Sequence, residues 1–359
     1  MKTINLKQWM IVFLSFAIFF SSCNDDDNNK ITGAYVDGAF ITNEGGFGAG
    51  NGSVSFYSYD NDALVNSVFS TVNSRVLGDV VQSITINDNV AYIVVNASNK
   101  VEVAHANTFI EKGVITDVAN PRYFVAKNDD KGYVSQWGDN GVVKVIDLNA
   151  LAVTKSITVG AGAEQMIIHN DLLYVANSGG YANNNTISII DTKTDEVTKT
   201  ITLDGDSPRD FVIDANNDIW ILCAGFVDWY STPMIETPSK LIRINPTTNE
   251  VAEAITISET LHPTCLEVSK NGNNLFYGGG YGVQGIFKMS ISDDAAPTTA
   301  LIDKSFYGLS INPETGNIFA MEATSFTANG TLWRYEANGT ELGSYEAGIG
   351  PNSAGFKKK

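Results

Sequence analysis

Short runs of aliphatic and β-branched residues alternate with Asn-, Gly- and Asp-rich breaks along almost the whole chain. The clearest stretch reads Glu164-Gln165-Met166-Ile167-Ile168, then Leu172-Leu173-Tyr174-Val175-Ala176-Asn177. Thr186-Ile187-Ser188-Ile189-Ile190-Asp191-Thr192 and Thr198-Lys199-Thr200-Ile201-Thr202-Leu203 complete it. Four such runs, bounded by turn formers, predict a four-stranded antiparallel meander. One meander cannot bury both of its faces. The phrase recurs about seven times, once every forty or so residues, which predicts stacked blades and an all-β, seven-bladed β-propeller.

The phase can be read from the innermost strands, which start near Gly78, Asn120, Gly162, Ser207, His262, Phe306 and Pro351. Successive starts lie 42 to 45 residues apart, except for 55 between Ser207 and His262. Six units are complete and the seventh is split. Ala39–Asn43, Ser53–Tyr59 and Leu64–Val72 read as three strands without a first, and Asn352–Phe356 reads as a first strand with nothing after it. Pairing Asn352–Phe356 beside Ala39–Asn43 would close the ring and cover two strand edges that otherwise invite aggregation.

Ahead of the repeats, Lys2 and Lys7 precede an apolar run from Trp9 to Phe20, too short to span a bilayer. Ser21 and Ser22 lead into Cys23, which resembles a bacterial lipoprotein signal: residues 1–22 as signal peptide and Cys23 as the acylated mature N-terminus. An ordinary secretory signal is the alternative. Asn24-Asp25-Asp26-Asp27-Asn28-Asn29-Lys30 is too polar to pack, so residues 23–38 read as an acidic tether and 39–359 as the propeller. Acidic residues directly after such a cysteine also resemble the surface-export signal of Bacteroidetes lipoproteins. The expected location is therefore the outer membrane, lipid-anchored and exposed at the cell surface, with a periplasm-facing tether as the alternative.

Composition changes this picture mainly by exclusion. Apolar residues make up 43% of 359, enough to build a large core. A net charge of −17 disfavours nucleic acid and anionic headgroups as partners. Cys223 and Cys265 fall on strands of neighbouring blades, and a disulfide or two buried thiols are both open readings.

In a propeller, the loops joining second to third strands share a face with the entries to the first strands. Here those loops vary most, and they run over residues 44–52, 97–100, 136–141, 178–185, 224–239, 279–285 and 322–330. Turns on the other face, such as Asp191–Glu196, are short and built from ordinary turn formers. Function is expected on the elaborated face. Phe47, Trp137, Tyr181, Phe226, Trp229, Tyr230, Tyr281 and Phe326 sit there among Gly and Asn, where aromatic rings supply flat contact area at modest entropy cost. Asn43, Glu44, Asn96, Gln136, Asn177 and Glu322 join them at strand ends. Arg122, Tyr123, Glu164, Gln165, Arg209 and Asp210 join them at first-strand starts. A ring of plugging side chains is the plainer alternative to a ligand face.

Catalysis has less support in the residues. Of three histidines, His105 and His169 fall at turns, and only His262 lies at a blade entrance on the elaborated face. No nucleophile elbow or zinc-type spacing occurs, and Gly278–Gly282 lacks the following helix that a phosphate loop needs. A metal-dependent lactonase or lyase would need Glu44, Asn96, Glu164 or Asn177 to converge on a cation. No metal, cofactor or catalytic residue is expected.

Phe40-Ile41-Thr42-Asn43-Glu44-Gly45, Leu77-Gly78-Asp79-Val80-Val81-Gln82-Ser83, Tyr92-Ile93-Val94-Val95-Asn96, Pro121-Arg122-Tyr123 and Glu164-Gln165-Met166 resemble propeller lipoproteins of Bacteroidetes. They are also similar to the broader YncE-like propellers. The resemblance covers residues 39–356. It implies capture of cobalamin at the cell surface and delivery to a TonB-dependent outer-membrane transporter; some relatives take up ferric siderophores. The expectation is a non-enzymatic corrinoid-capture lipoprotein. Its expected contact set is Asn43, Glu44, Phe47, Asn96, Arg122, Gln136, Trp137, Asn177, Tyr181, Arg209, Trp229, Tyr230, Tyr281 and Phe326. Siderophore capture and glycan or protein binding are the alternatives within the binding class.

Overall fold

The computed structural model describes residues 33–357, and they form seven four-stranded antiparallel sheets. The signal peptide and Cys23 expected above lie outside the described residues. Six sheets are continuous in sequence. Their innermost strands are Val81–Asn87, Pro121–Ala126, Ala163–His169, Pro208–Ile213, Cys265–Val268 and Gly308–Ile311. These are blades 1 to 6. In the seventh, the composite blade, Pro351–Phe356 is innermost, followed outward by Gly38–Asn43, Ser53–Ser58 and Ala63–Val65. Ala39 pairs with Phe356 and Asn43 with Pro351, so the ring closes by the strand exchange that the repeat phase predicts.

Blade-to-blade packing follows from the period-two pattern. Inward-facing residues of one sheet meet those of the next, as where Tyr174, Ile187 and Ile189 pack on Phe211, Ile219 and Ile242. The closing joint carries extra bonds. Phe356 lies edge-on to Phe319 at 5.1 Å, and Arg334 of blade 6 stacks over Tyr57 at 4.4 Å.

Two boundaries differ from the sequence expectation. Residues 64–72 do not form one strand: Ala63–Val65 pairs with the sheet, and Val68–Asn73 is an α-helix. Ser67 adopts a left-handed backbone (φ 58°), which breaks the strand. Beyond it, Val68, Phe69 and Val72 share one helical face and enter the cluster around Phe109. Arg75 then clamps the segment to blade 1 through both oxygens of the buried Glu102, at 2.9 and 2.7 Å.

The second difference concerns the tether. Residues 33–37 are docked on the propeller, because the Tyr35 ring packs against Phe40, Phe56 and Phe109. The ring is partly buried against that cluster, which holds the segment although its neighbours are exposed or half-buried.

Candidate functional site

The inner strands surround an axial cavity of about 410 Å³ that opens on the elaborated loop face. Its walls are polar because alternate residues of each innermost strand point at the axis, where no apolar layer covers them. Glu164 on blade 3 is the centre of its bonding. Its side chain is almost completely buried, and it takes Arg122 Nε at 3.0 Å from blade 2 and Arg209 Nη1 at 2.6 Å from blade 4. Arg122 also donates to Gln82 Oε1 on blade 1 at 2.5 Å. Four adjacent blades are thereby joined around one carboxylate.

On the opposite wall Glu44 accepts from Tyr307 (3.0 Å) and from the Asn352 amide (3.1 Å). Burial raises its pKa, partly offset by those two hydrogen bonds and by Arg122. Asp210 accepts the backbone N–H groups of Phe211 at 2.8 Å and Leu266 at 2.9 Å. Enclosure nevertheless pushes its carboxyl up to about 6, and Glu267 is raised well above the ordinary range for the same reason and by Asp210 beside it.

For Asp210 the folded pKa of about 6 stands above the unfolded 3.8. The stability it contributes is therefore fully present below the unfolded value and is lost as pH rises through the folded one. We expect Asp210→Asn to shrink the fall in melting temperature between about pH 3.5 and about pH 6.5, the interval bracketed by the unfolded and folded values. An unchanged fall in that variant would remove Asp210 from the account.

The aromatic candidates divide by exposure. Phe47 (86% exposed), Tyr181 (95%), Trp229 (74%), Tyr230 (98%) and Tyr281 (87%) are exposed on four loops of this face, and Tyr281 reaches the cavity mouth. Phe326 is half-buried, edge-on to Tyr307 at 5.4 Å, and Phe226 is half-buried at the base of its loop. Trp137 bridges rim and cavity: Arg122 lies 4.3 Å above its ring and Tyr181 packs edge-on at 5.1 Å. Tyr181, Trp137, Arg122 and Glu164 thus form one continuous stack from the loop tip to the axis.

The amide candidates play a different part. Asn43, Gln136 and Asn177 are fully buried. Asn43 donates to Ser55 and accepts from Gly348 N–H; Gln136 accepts from Ala119 N–H; Asn177 donates to Thr186 and Ser188. Asn96 donates to the Pro121 carbonyl at 2.9 Å, joining blades 1 and 2. As placed, these four residues hold strand ends rather than form a contact surface. These bonds have a simple cause, since an amide at the end of a buried strand has unpaired backbone and hydroxyl groups within reach.

Arg122 and Arg209, each directly after a proline at the start of its innermost strand, brace neighbouring blades through Glu164. Of the four residues a propeller lactonase would need, only Glu44 and Glu164 line the cavity. His262 is also a brace: its ring nitrogens lie 2.7 Å from the Ala224 carbonyl and 2.9 Å from Glu236, pinning the base of the 224–239 loop. Gly278–Gly282 connects strand to strand. Cys223 and Cys265 are free thiols, and burial raises Cys265 to about 12.

Gln82, Glu267, Tyr307 and Asn352 line the cavity and were not singled out from sequence. Strand alternation could have found Glu267, two residues beyond Cys265 on the same side. The neighbour relations of Tyr307 and Asn352 depend on ring closure, which no local pattern encodes.

No functionally curated protein matches the chain. Solved structures match the fold at low identity. A quinonprotein alcohol dehydrogenase-like protein from Bacteroides thetaiotaomicron is 14% identical with a TM-score of 0.66, over 89% of this chain and 78% of that one. The WD40 β-propeller domain of Doa1 is 11% identical (TM-score 0.57; 80% and 87%), and Kuenenia stuttgartiensis hydrazine synthase is 16% identical (0.53; 70% and 75%). Such likeness extends to architecture alone. A family model described as "Domain of unknown function (DUF5074)" matches residues 37–348, and the chain belongs to that family.

Proposed function

We propose that this propeller is a surface-anchored, non-enzymatic capture protein for a corrinoid-type nutrient, acting with a TonB-dependent outer-membrane transporter. The observation that carries this reading is the face on which the cavity opens. Five aromatic side chains stand exposed there, and the cations beneath them are already spoken for. Arg122 and Arg209 are held by Glu164, Lys100 by Glu102 at 2.6 Å, and Lys240 by Asp204 at 2.9 Å. A trianionic ferric catecholate would have to break such pairs to be neutralised. A large, flat, neutral or zwitterionic ligand asks instead for aromatic area and hydrogen bonds, both of which this face offers.

Binding occurs without covalent change. The loop aromatics supply contact area, while Glu44, Gln82, Asn352 and backbone groups at the mouth orient polar arms. Titration with cyanocobalamin and with a ferric catecholate, each at two salt concentrations, tests the reading. Tight, salt-insensitive corrinoid binding is expected; salt-sensitive siderophore binding without corrinoid binding overturns it. Trp229→Ala combined with Tyr230→Ala should weaken corrinoid binding by at least about tenfold. The same variant should melt like the wild type, because both rings are exposed.

A further inference from the structure

A second hollow lies on the flank, between blades 4 and 5 and apart from the axial cavity. It arises where blade 5 is short of strand. In the other blades that are continuous in sequence, the outermost strand has five to nine residues. In blade 5 it is Ile302–Ser305, and it meets the third strand only at Gln284 and Ile286. Residues 287–290 therefore pair with no strand outside them, and residues 294–298 form a loop there instead. That loop and residues 254–258, the end of blade 4's outermost strand, enclose a cleft of about 530 Å³.

The floor of the cleft departs from the repeat. In blade 3, the pair three residues in from Leu172 and Asp191 is Val175 with Ser188. The same step from Asn274 and Ser290 in blade 5 gives Tyr277 with Phe287, whose rings stack at 5.4 Å. Tyr277 is 1% exposed, and its hydroxyl finds no hydrogen-bond partner among the described residues. Tyr133 and Tyr174, equally buried, give theirs to Asp195 and Asn249 of the next blade. Buried hydroxyls are paired as a rule, so an orphan of this kind calls for a partner from outside the chain. Burial pushes the Tyr277 pKa up, which keeps the hydroxyl protonated and a donor.

We propose that this cleft binds a small neutral molecule with an apolar body and one acceptor that receives the Tyr277 hydrogen bond. The body lies against the Tyr277–Phe287 stack and between Ile255, Ile257 and Pro297. Asp294, exposed at the rim, is the only charged residue of the lining, so an anion meets no counter-charge. A cation would have to leave its water for an aliphatic wall. The volume falls within the range usual for small-molecule sites. This site is separate from the axial one and does not depend on what binds there.

Two probes of one skeleton test it: acetophenone, which carries a carbonyl oxygen, and isopropylbenzene, which has a methyl group in its place. Each is titrated into the full chain and followed by ligand-observed NMR. Tyr277→Phe should weaken acetophenone binding about fivefold and leave isopropylbenzene unchanged. The variant should melt no lower than the wild type, because the hydroxyl it loses has no protein partner. Ala296→Trp, at a half-buried position of the loop, should block both probes; Thr298→Trp serves if that variant does not fold. Failure of both probes to bind, an equal effect of Tyr277→Phe on both, or binding that survives the tryptophan overturns the proposal. So does a lower melting temperature for Tyr277→Phe, which would mean that water already satisfies the hydroxyl.

Discussion

Removing residues 350–359 should abolish a stable fold, giving either no soluble protein or a melting temperature lower by more than about 10 °C. The deletion takes away the innermost strand of the composite blade and its ladder with Gly38–Asn43. It also takes away the Phe356–Phe319 contact and the hydrogen bonds of Asn352 to Glu44 and to the Val81 and Gln82 carbonyls. Two strand edges then face water where the ring was continuous. The summed loss exceeds about 5 kcal/mol, comparable with the whole stability of many domains. Phe356→Ala separates ring closure from simple burial: it keeps the strand, and should cost only about 2–3 kcal/mol. A truncated chain that melts like the intact one would refute closure by strand exchange.

Why the fold was so legible, and the site less so, comes down to range. Each blade is specified locally. Leu172–Asn177 alternates in period two, Asp191–Glu196 turns on its own side-chain hydrogen bonds, and neither needs information from elsewhere. The misread strand at 64–72 failed for a local reason as well, because the Val68-Phe69-Val72 spacing is helical and the break at Ser67 is a backbone feature. The site depends on the ring. Glu164 could be marked as a polar residue at a blade entrance, but its capture of two arginines follows only from the stacking of blades 2 and 4 on either side of it. Exposure behaved similarly. Tyr181 and Trp229 remain exposed at loop tips, whereas Asn43 and Asn177 are claimed by adjacent hydroxyls. Sequence showed which residue types collect on the face; only the fold separates those that touch solvent from those that hold the frame.

Glu164 is where frame and site meet, and its replacement should have the next largest effect. The carboxylate is nearly fully buried, while Arg122 and Arg209 are largely enclosed around it. Glu164→Ala leaves two guanidinium groups without their counter-charge, and removing one partner of such a buried set costs about 3–5 kcal/mol. For a domain of this size that corresponds to roughly 4–7 °C in melting temperature. The structure also predicts where the damage spreads. Arg122 is held between Glu164, Gln82 and the Trp137 ring, so its release should alter Trp137 fluorescence and loosen the Tyr181 stack above it. Adding Arg122→Gln and Arg209→Gln to Glu164→Gln removes the stranded charges, and should recover part of the loss in a non-additive way. Recovery of stability without recovery of corrinoid binding would show that the arginine–glutamate cluster also shapes the ligand face. If Glu164→Ala melts within about a degree of the wild type, the cluster contributes nothing net, and its attraction merely offsets the cost of burying three charges.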